Sequence, residues 1–397
     1  MTKSPAALEG IRVLDVTQVM AGPFCAMQLA DLGADVIKIE PPGGDSTREM
    51  PGAIGADSPS FNAVNRGKRS IVLNLKADEA RNVVVRLARS ADVFIENYRP
   101  GVMEALGLGC EALRQINPRL IYASISGYGQ TGPQRRKGGF DLIAQGVAGI
   151  MSITGEPGGP PMKAGVPLTD LGAGLFAVVG ILAALEHRHR SGVGQSVDTS
   201  LLDAGVALSV WEATEYFSGI GVPAALGSAH RMNAPYQAIR CADGYITLGA
   251  ANERLFRRLC EVLDHTEWIA MPVFRDNAAR VRNREALAAR IESVMSQKPQ
   301  SYWLALLEAN DIPCGPINNY EQVFADPQVV AREMVAETEH QTLGRLKTLG
   351  SPVKLSATPP VVTRQAPLLG EHTDEILAEA GFSESEIAVL RQTGAVS

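Results

Sequence analysis

The sequence predicts an α/β protein: a large Rossmann-like domain on a parallel sheet, joined to a smaller α+β domain. Three observations carry this. Short apolar strand patterns alternate with helical patterns from residue 11 to residue 124, and such alternation builds parallel sheets through right-handed crossover helices. A Gly/Pro/Ala-rich stretch, residues 218–235, then interrupts the chain and reads as a connection. Beyond it the pattern becomes a hairpin followed by a mostly helical body. The expected domains are 1–217 and 218–330.

The elements follow in order. Residues 11–16, IRVLDV, form a buried-strand pattern, Ala21-Gly22-Pro23 reads as a turn, and 24–32, FCAMQLADL, has helical spacing. Gly33-Ala34 closes that helix and 35–40, DVIKIE, is the next strand, which completes a βαβ unit. Further strands are expected at 70–75, 92–95 and 120–124, with a helix over 77–91 presenting Val83, Val84, Leu87 and Ala88 on one side. The apolar run 171–185 predicts a buried helix over 171–188, since 15 residues are short for a membrane span. Residues 192–199 turn into a strand, and 201–217 is one helical stretch. YQAIRCADGYITL, 236–248, is a hairpin with Ala242-Asp243-Gly244 at its turn. Residues 253–310 are mostly helical, 326–356 irregular with short strands, and 373–380 and 383–392 terminal helices.

Composition narrows the function classes. Of 397 residues, 45% are hydrophobic and 20% charged, which suffices for real cores. Lys and Arg number 37 against 43 Asp and Glu, a net charge of −6. Without clustered cations, nucleic-acid binding is disfavoured. The start, MTKSPAALEGIRVLD, lacks an apolar h-region, so neither a signal peptide nor membrane attachment is expected. Five cysteines without a CxxC pattern suggest reduced thiols in a cytoplasm.

Several motifs are weaker than they look. Gly127-Tyr128-Gly129-Gln130-Thr131-Gly132 is a literal GxGxxG, yet Pro133 and the basic, Gly-rich 134–139 do not open a helix. Dinucleotide binding requires that helix. His187 and His189 are two apart on a helix, which puts them on different faces. No HExxH, Cys/His cluster or GxSxG elbow occurs, so neither a metal site nor a serine hydrolase is expected. Asp170, in GVPLTDLGAG, opens the longest apolar helix. By itself it reads first as a helix cap; the compatible second reading is a carboxylate nucleophile with room beside Gly172 and Gly174 for an acyl group.

Seven segments together resemble the class III CoA-transferases, the family of formyl-CoA transferase and carnitine CoA-transferase. They span 8–48, 65–76, 91–109, 117–133, 164–174, 312–319 and 366–377, and include NRGKRSIVLNLK, ENYRPGVMEALGLG and APLLGEHTDEIL. The resemblance implies a large domain completed by 331–397 and an interlocked homodimer. It implies that Asp170 is the nucleophile, with coenzyme A thioester as a substrate and no permanently bound cofactor. By motif, it places Val19, Met20, Asn74, Lys76, Asn97, Tyr98, Arg99, Lys137, Gly138, Gly139 and Phe140 along the CoA. Tyr98 offers a flat face, and Arg99 and Lys137 offer cations to a polyphosphate. Ala105 stands where the formate enzyme has an arginine, and that enzyme's GGGGQ loop is absent. Related α-methylacyl-CoA racemases carry His-Asp where this chain has Phe140-Asp141, and phenylalanine cannot move a proton.

The expected function is therefore CoA transfer through an aspartyl-CoA thioester, with oxyanion donors from a glycine-rich segment or the helix end at 171–174. GSAHRMNAPYQAIRCADGYITLGAANERLF and IPCGPINNYEQVFADPQV resemble the succinyl-CoA:glutarate branch. A dicarboxylate needs a further cation, for which Arg48, His230 and Arg231 are the candidates. The rivals are an acyl-CoA racemase or isomerase, an NAD-dependent oxidoreductase, and a CoA-binding protein without catalysis.

Overall fold

The computed structural model describes residues 6–52, 58–362 and 364–397. The chain folds as two compact units. The first takes in residues up to Met151, Lys163–Gly221 and Pro327–Ser397, and the second Ser152–Met162 and Val222–Asp326. Residues 152–162 thus leave the large domain in which the expected boundaries held them. Gly227 N donates to Gly155 O at 2.9 Å, so this turn-rich loop packs on the second unit. Its lack of periodicity gives no sign of which body it joins.

The first unit is built on six parallel strands: β1 (Arg12–Asp15), β2 (Asp35–Glu40), β3 (Lys68–Val72), β4 (Val93–Glu96), β5 (Ile121–Ser126) and β6 (Ser196–Ser200). Their order is β3-β2-β1-β4-β5-β6. The progression reverses between β1 and β4. In open α/β sheets ligands bind at that reversal, outside the carboxyl ends of the strands.

Both faces of the sheet are covered. On one, Leu14, Ile37, Ile71 and Phe94 pack against Val83, Val84 and Leu87 of helix Asp78–Ala88 and against Ile376, Leu377 and Leu390 of the C-terminal helices. Val396 also bridges Leu73 beyond β3. On the other face, Val13, Val36, Val93 and Ile121 meet Cys25 and Leu29 of helix Ala21–Asp31 and Ala173, Ala177 and Ile181 of helix Leu168–Ser191. Burial on both faces explains why these strands read as apolar runs rather than alternating ones.

Two local expectations change. Ala21-Gly22-Pro23 is the first turn of a helix, not a turn before it, and Phe24 N already bonds Met20 O at 2.8 Å. Proline is tolerated there because the first N–H groups have no intrahelical partner. Residues 201–217 form two helices, Leu201–Leu208 and Val210–Phe217. They break at Ser209, whose hydroxyl bonds back to Gly205 O at 3.0 Å.

Helix Leu168–Ser191 is longer than its apolar run, and by length and composition alone it could cross a membrane. Its small residues pack on the sheet layer, while Leu175, Phe176, Val179 and Leu182 are exposed. All five cysteines are free thiols. The first unit also carries the hairpin β10 (Val335–His340) and β11 (Gly344–Leu349).

In the second unit, β7 (Tyr236–Cys241), β8 (Gly244–Gly249) and β9 (Cys314–Pro316) form an antiparallel sheet. Phe256, Leu259, Ile291, Trp303 and Leu307 from its helices form its core with Ile239 and Ile246.

Candidate active site

A cavity of about 300 Å³ opens at the carboxyl ends of β1, β4 and β5, at the strand-order reversal. Its wall beyond β1 is Gln18–Ala21, its wall beyond β4 is Asn97–Arg99, and Gly139, Phe140 and Asp170 close it. Of the candidate residues, the structure therefore brings together Val19, Met20, Asn97, Tyr98, Arg99, Gly139, Phe140 and Asp170.

Asp170 is positioned from two directions. It is the third residue of helix Leu168–Ser191, whose cap is Pro167, so the cap reading of Asp170 is corrected. Capping falls to Asp141, which opens helix Asp141–Val147. Its Oδ1 accepts from Thr169 N at 3.0 Å and Thr169 Oγ1 at 2.8 Å, and its Oδ2 from Gln145 at 2.7 Å. One turn along, a Cβ on Gly174 would lie 2.7 Å from Ala21 O. That glycine lets the Asp170 helix approach the start of the first helix.

The Asp170 carboxylate accepts no hydrogen bond from a described residue. Burial, together with the nearby Asp141 charge, pushes its pKa up to about 7. A carboxylate without bonded donors is a stronger nucleophile once ionised. The N–H groups of residues 171–174, expected as oxyanion donors, lie inside the helix ladder, where Leu171 N bonds Pro167 O at 3.0 Å. They are committed. Ala21 and Gly22 instead open an uncapped helix at the cavity wall.

The basic loop reaches the cavity through glycines. Gly127 and Gly139 touch backbone to backbone, since a Cβ on Gly127 would lie 2.7 Å from Gly139 Cα. A Cβ on Gly138 would lie 2.8 Å from Arg99 Nη2. Lys137 is exposed on this loop, and no helix opens after the GxGxxG run. Phe140 is 73% exposed.

Other candidates stand elsewhere. Arg48 is 3% exposed and makes a fork with Glu40, both bonds 2.8 Å, while its Nη2 also donates to Pro367 O at 3.0 Å. It also lies over the Phe61 ring at 3.6 Å. A guanidinium so committed is a structural cation, and Arg48 is withdrawn from the acid-binding candidates. Asn74 and Lys76 follow β3, outside the cavity lining, where Asn74 N bonds Ala395 O. His230 and Arg231 belong to the second unit. The His230 ring meets Tyr236 edge-on at 5.0 Å, and Arg231 donates to Ala224 O at 2.9 Å.

Sequence reasoning passed over Gln18, Glu96 and the capping role of Asp141. Gln18 Nε2 donates to the Tyr98 hydroxyl at 3.1 Å, and Glu96 accepts from Tyr98 N at 2.8 Å. Burial pushes Glu96 up to about 7. The available signal was the polar run ENYR at the end of a buried strand.

Comparison with known proteins shows the family. The model of CoA-transferase family III matches residues 8–373. Succinyl-CoA:glutarate CoA-transferase from Homo sapiens is 42% identical over 392 residues, covering 98% of this chain and 90% of that protein. Succinyl-CoA:mesaconate CoA-transferase from Haloarcula marismortui is 42% identical over 385 residues, covering 94% and 96%. The crystal structure of a CaiB/BaiF family protein from Brucella suis matches with a TM-score of 0.84 at 39% identity, covering 95% of this chain and 100% of that one.

Proposed function

The chain belongs to CoA-transferase family III, and from that premise we propose that it moves CoA from succinyl-CoA to a second carboxylic acid through a thioester on Asp170. The observation that carries this is the Asp170 carboxylate, without a bonded donor, in a cavity at the sheet's reversal point. Ionised Asp170 attacks the thioester carbonyl, giving a mixed anhydride and CoA thiolate. The thiolate attacks the aspartyl carbonyl, and succinate leaves. The acceptor carboxylate then attacks the aspartyl thioester, releasing the thiolate, which takes the acceptor's acyl group and frees Asp170. Thioester energy is conserved at each exchange. In this reading the open first turn at Ala21 and Gly22 supplies donors to the developing oxyanions. Val19, Met20, Tyr98, Arg99, Lys137, Gly138, Gly139 and Phe140 line the path of the CoA, and Asn74 and Lys76 extend it past β3.

Ionisation sets the pH dependence. Only the carboxylate attacks, and Asp170 is largely neutral below its raised pKa of about 7. Thus kcat/KM is expected to rise with pH through about 7 and level off above it. Asp141→Asn keeps an oxygen for Thr169 N but removes the opposing charge, so the rising limb should move to lower pH. A pH–rate profile of both proteins checks this. An unmoved limb in the variant would remove Asp141 from the account.

The dicarboxylate assignment rests on the succinyl-CoA transferases among the relatives, and the same reading keeps Arg231, with His230 beside it, as the proposed further cation. Succinyl-CoA is expected to outperform butyryl-CoA, and Arg231→Ala should narrow that preference by roughly tenfold or more, the worth of a charge-assisted hydrogen bond. Equal use of the two donors by the unaltered enzyme contradicts the assignment.

A homodimer, interlocked as in the family expectation, belongs to the same proposal. Its support is the apolar surface of the single chain: Val179, Val210, Trp211, Phe217 and Ile220 are each at least half exposed, and exposed large apolar side chains in number are a mark of association surfaces. Five unpaired cysteines support a cytoplasmic location.

A further inference from the structure

We propose that Asn97 is a positioning residue, which holds the Gln18–Val19 main chain in a strained turn at the cavity wall instead of contacting the substrate. Val19 has φ +70°, a left-handed conformation that a β-branched residue adopts only when its surroundings impose it. Three neighbouring main-chain positions are gripped by side chains from β2 and from the loops after β2 and β4. Lys38, from β2, donates to Thr17 O at 2.9 Å. Asn97, just past β4, grips Gln18 from both sides. Its Oδ1 accepts from Gln18 N at 2.9 Å, and its Nδ2 donates to Gln18 O at 2.8 Å. Asp45 accepts from Val19 N at 3.4 Å.

The third grip is itself fixed. Asp45 pairs with Lys38 at 3.0 Å, with neither side chain exposed, and accepts from Thr47 N at 2.9 Å. The Asn97 carboxamide has thus committed its oxygen and one N–H to the protein. Gln18 Nε2 also reaches the Tyr98 hydroxyl, so the wall beyond β1 and the wall beyond β4 form one braced unit. Through Asn97 the braces select a turn that Val19 would otherwise leave.

The inference rests on the CoA-transferase reading only for its choice of ligand. The test is a double-mutant cycle on CoA affinity, measured by calorimetry, with succinyl-CoA:glutarate transfer measured in parallel. Asn97→Ala should weaken CoA binding by roughly tenfold, because an unbraced Val19 relaxes to an extended conformation. Glycine takes φ +70° without steric cost. In a Val19→Gly background, the same Asn97→Ala change should therefore weaken binding by less than about threefold. Asn97→Asp, which keeps the acceptor and loses the Nδ2 donor, replaces Asn97→Ala in the cycle if that variant does not fold. An equal loss in both backgrounds overturns the positioning role and makes Asn97 a direct contact. CoA binding with the expected cycle but no transfer by the unaltered enzyme overturns the proposed reaction and leaves the positioning role standing.

Discussion

Asp170→Ala is expected to lower CoA transfer by roughly 10⁴-fold or more, the scale of losing a covalent nucleophile. Fold and CoA binding should survive. The N-terminus of the Asp170 helix is held by Asp141 through Thr169, and the Asp170 side chain holds no hydrogen bond to a described residue. Removing it also relieves its repulsion with Asp141. Steady-state transfer kinetics, circular dichroism and CoA titration on the same preparation check the three parts. Turnover within tenfold of the unaltered enzyme contradicts the mechanism. Loss of the fold would instead give Asp170 a structural role that its contacts do not indicate.

The second large effect is on stability. Lys68→Met is expected to destabilise the protein by about 3 kcal/mol, because the buried Asp15 carboxylate loses its ion-pair partner and keeps only the Thr17 N–H, the Thr17 hydroxyl and the nearby Lys38 charge. Lys68 and Asp15 are both fully buried and 2.8 Å apart. The ammonium also donates to Asn65 Oδ1 at 2.8 Å and to Pro23 O at 3.0 Å. This ties β1, β3 and helix Pro59–Asn65 to the start of the helix that forms the cavity wall. Adding Asp15→Asn should recover part of the loss, since the stranded charge disappears. Urea denaturation at fixed protein concentration measures both. A single-variant cost below about 1 kcal/mol would mean that water or a rearranged partner satisfies Asp15.

Local pattern carried the elements well where one short segment holds all the information. DVIKIE has the apolar run and the preceding Gly33-Ala34 turn, and β2 spans Asp35–Glu40 as expected. Asp170 was visible for the same reason, at the head of a long apolar run. Its environment was not. The Asp141 carboxylate that caps its helix comes from 28 residues away, and the Asn97 grip on Gln18 spans 79. Neither leaves a periodicity. Arg48 was a candidate only as a spare cation, and its partner is not legible in the sequence. Its fork onto Glu40 appears only once the turn after β2 folds back on the strand end. The helix end at 171–174, one of the two expected sources of oxyanion donors, shows a similar gap. Gly172 and Gly174 look like free backbone in the sequence, yet they are helical residues whose lack of side chains serves packing against Leu208 and Ala21. Family likeness pointed to Asp170 as the proposed nucleophile, while the physics around it had to come from the three-dimensional contacts.

Covalent capture tests the central claim most directly. The enzyme is incubated with succinyl-CoA without an acceptor acid, treated with hydroxylamine, digested and mapped by mass spectrometry. The account predicts a hydroxamate on the peptide carrying Asp170, formed only when succinyl-CoA was present and absent from Asp170→Ala. A hydroxamate on another residue, or full transfer activity with no trapped Asp170, would contradict it.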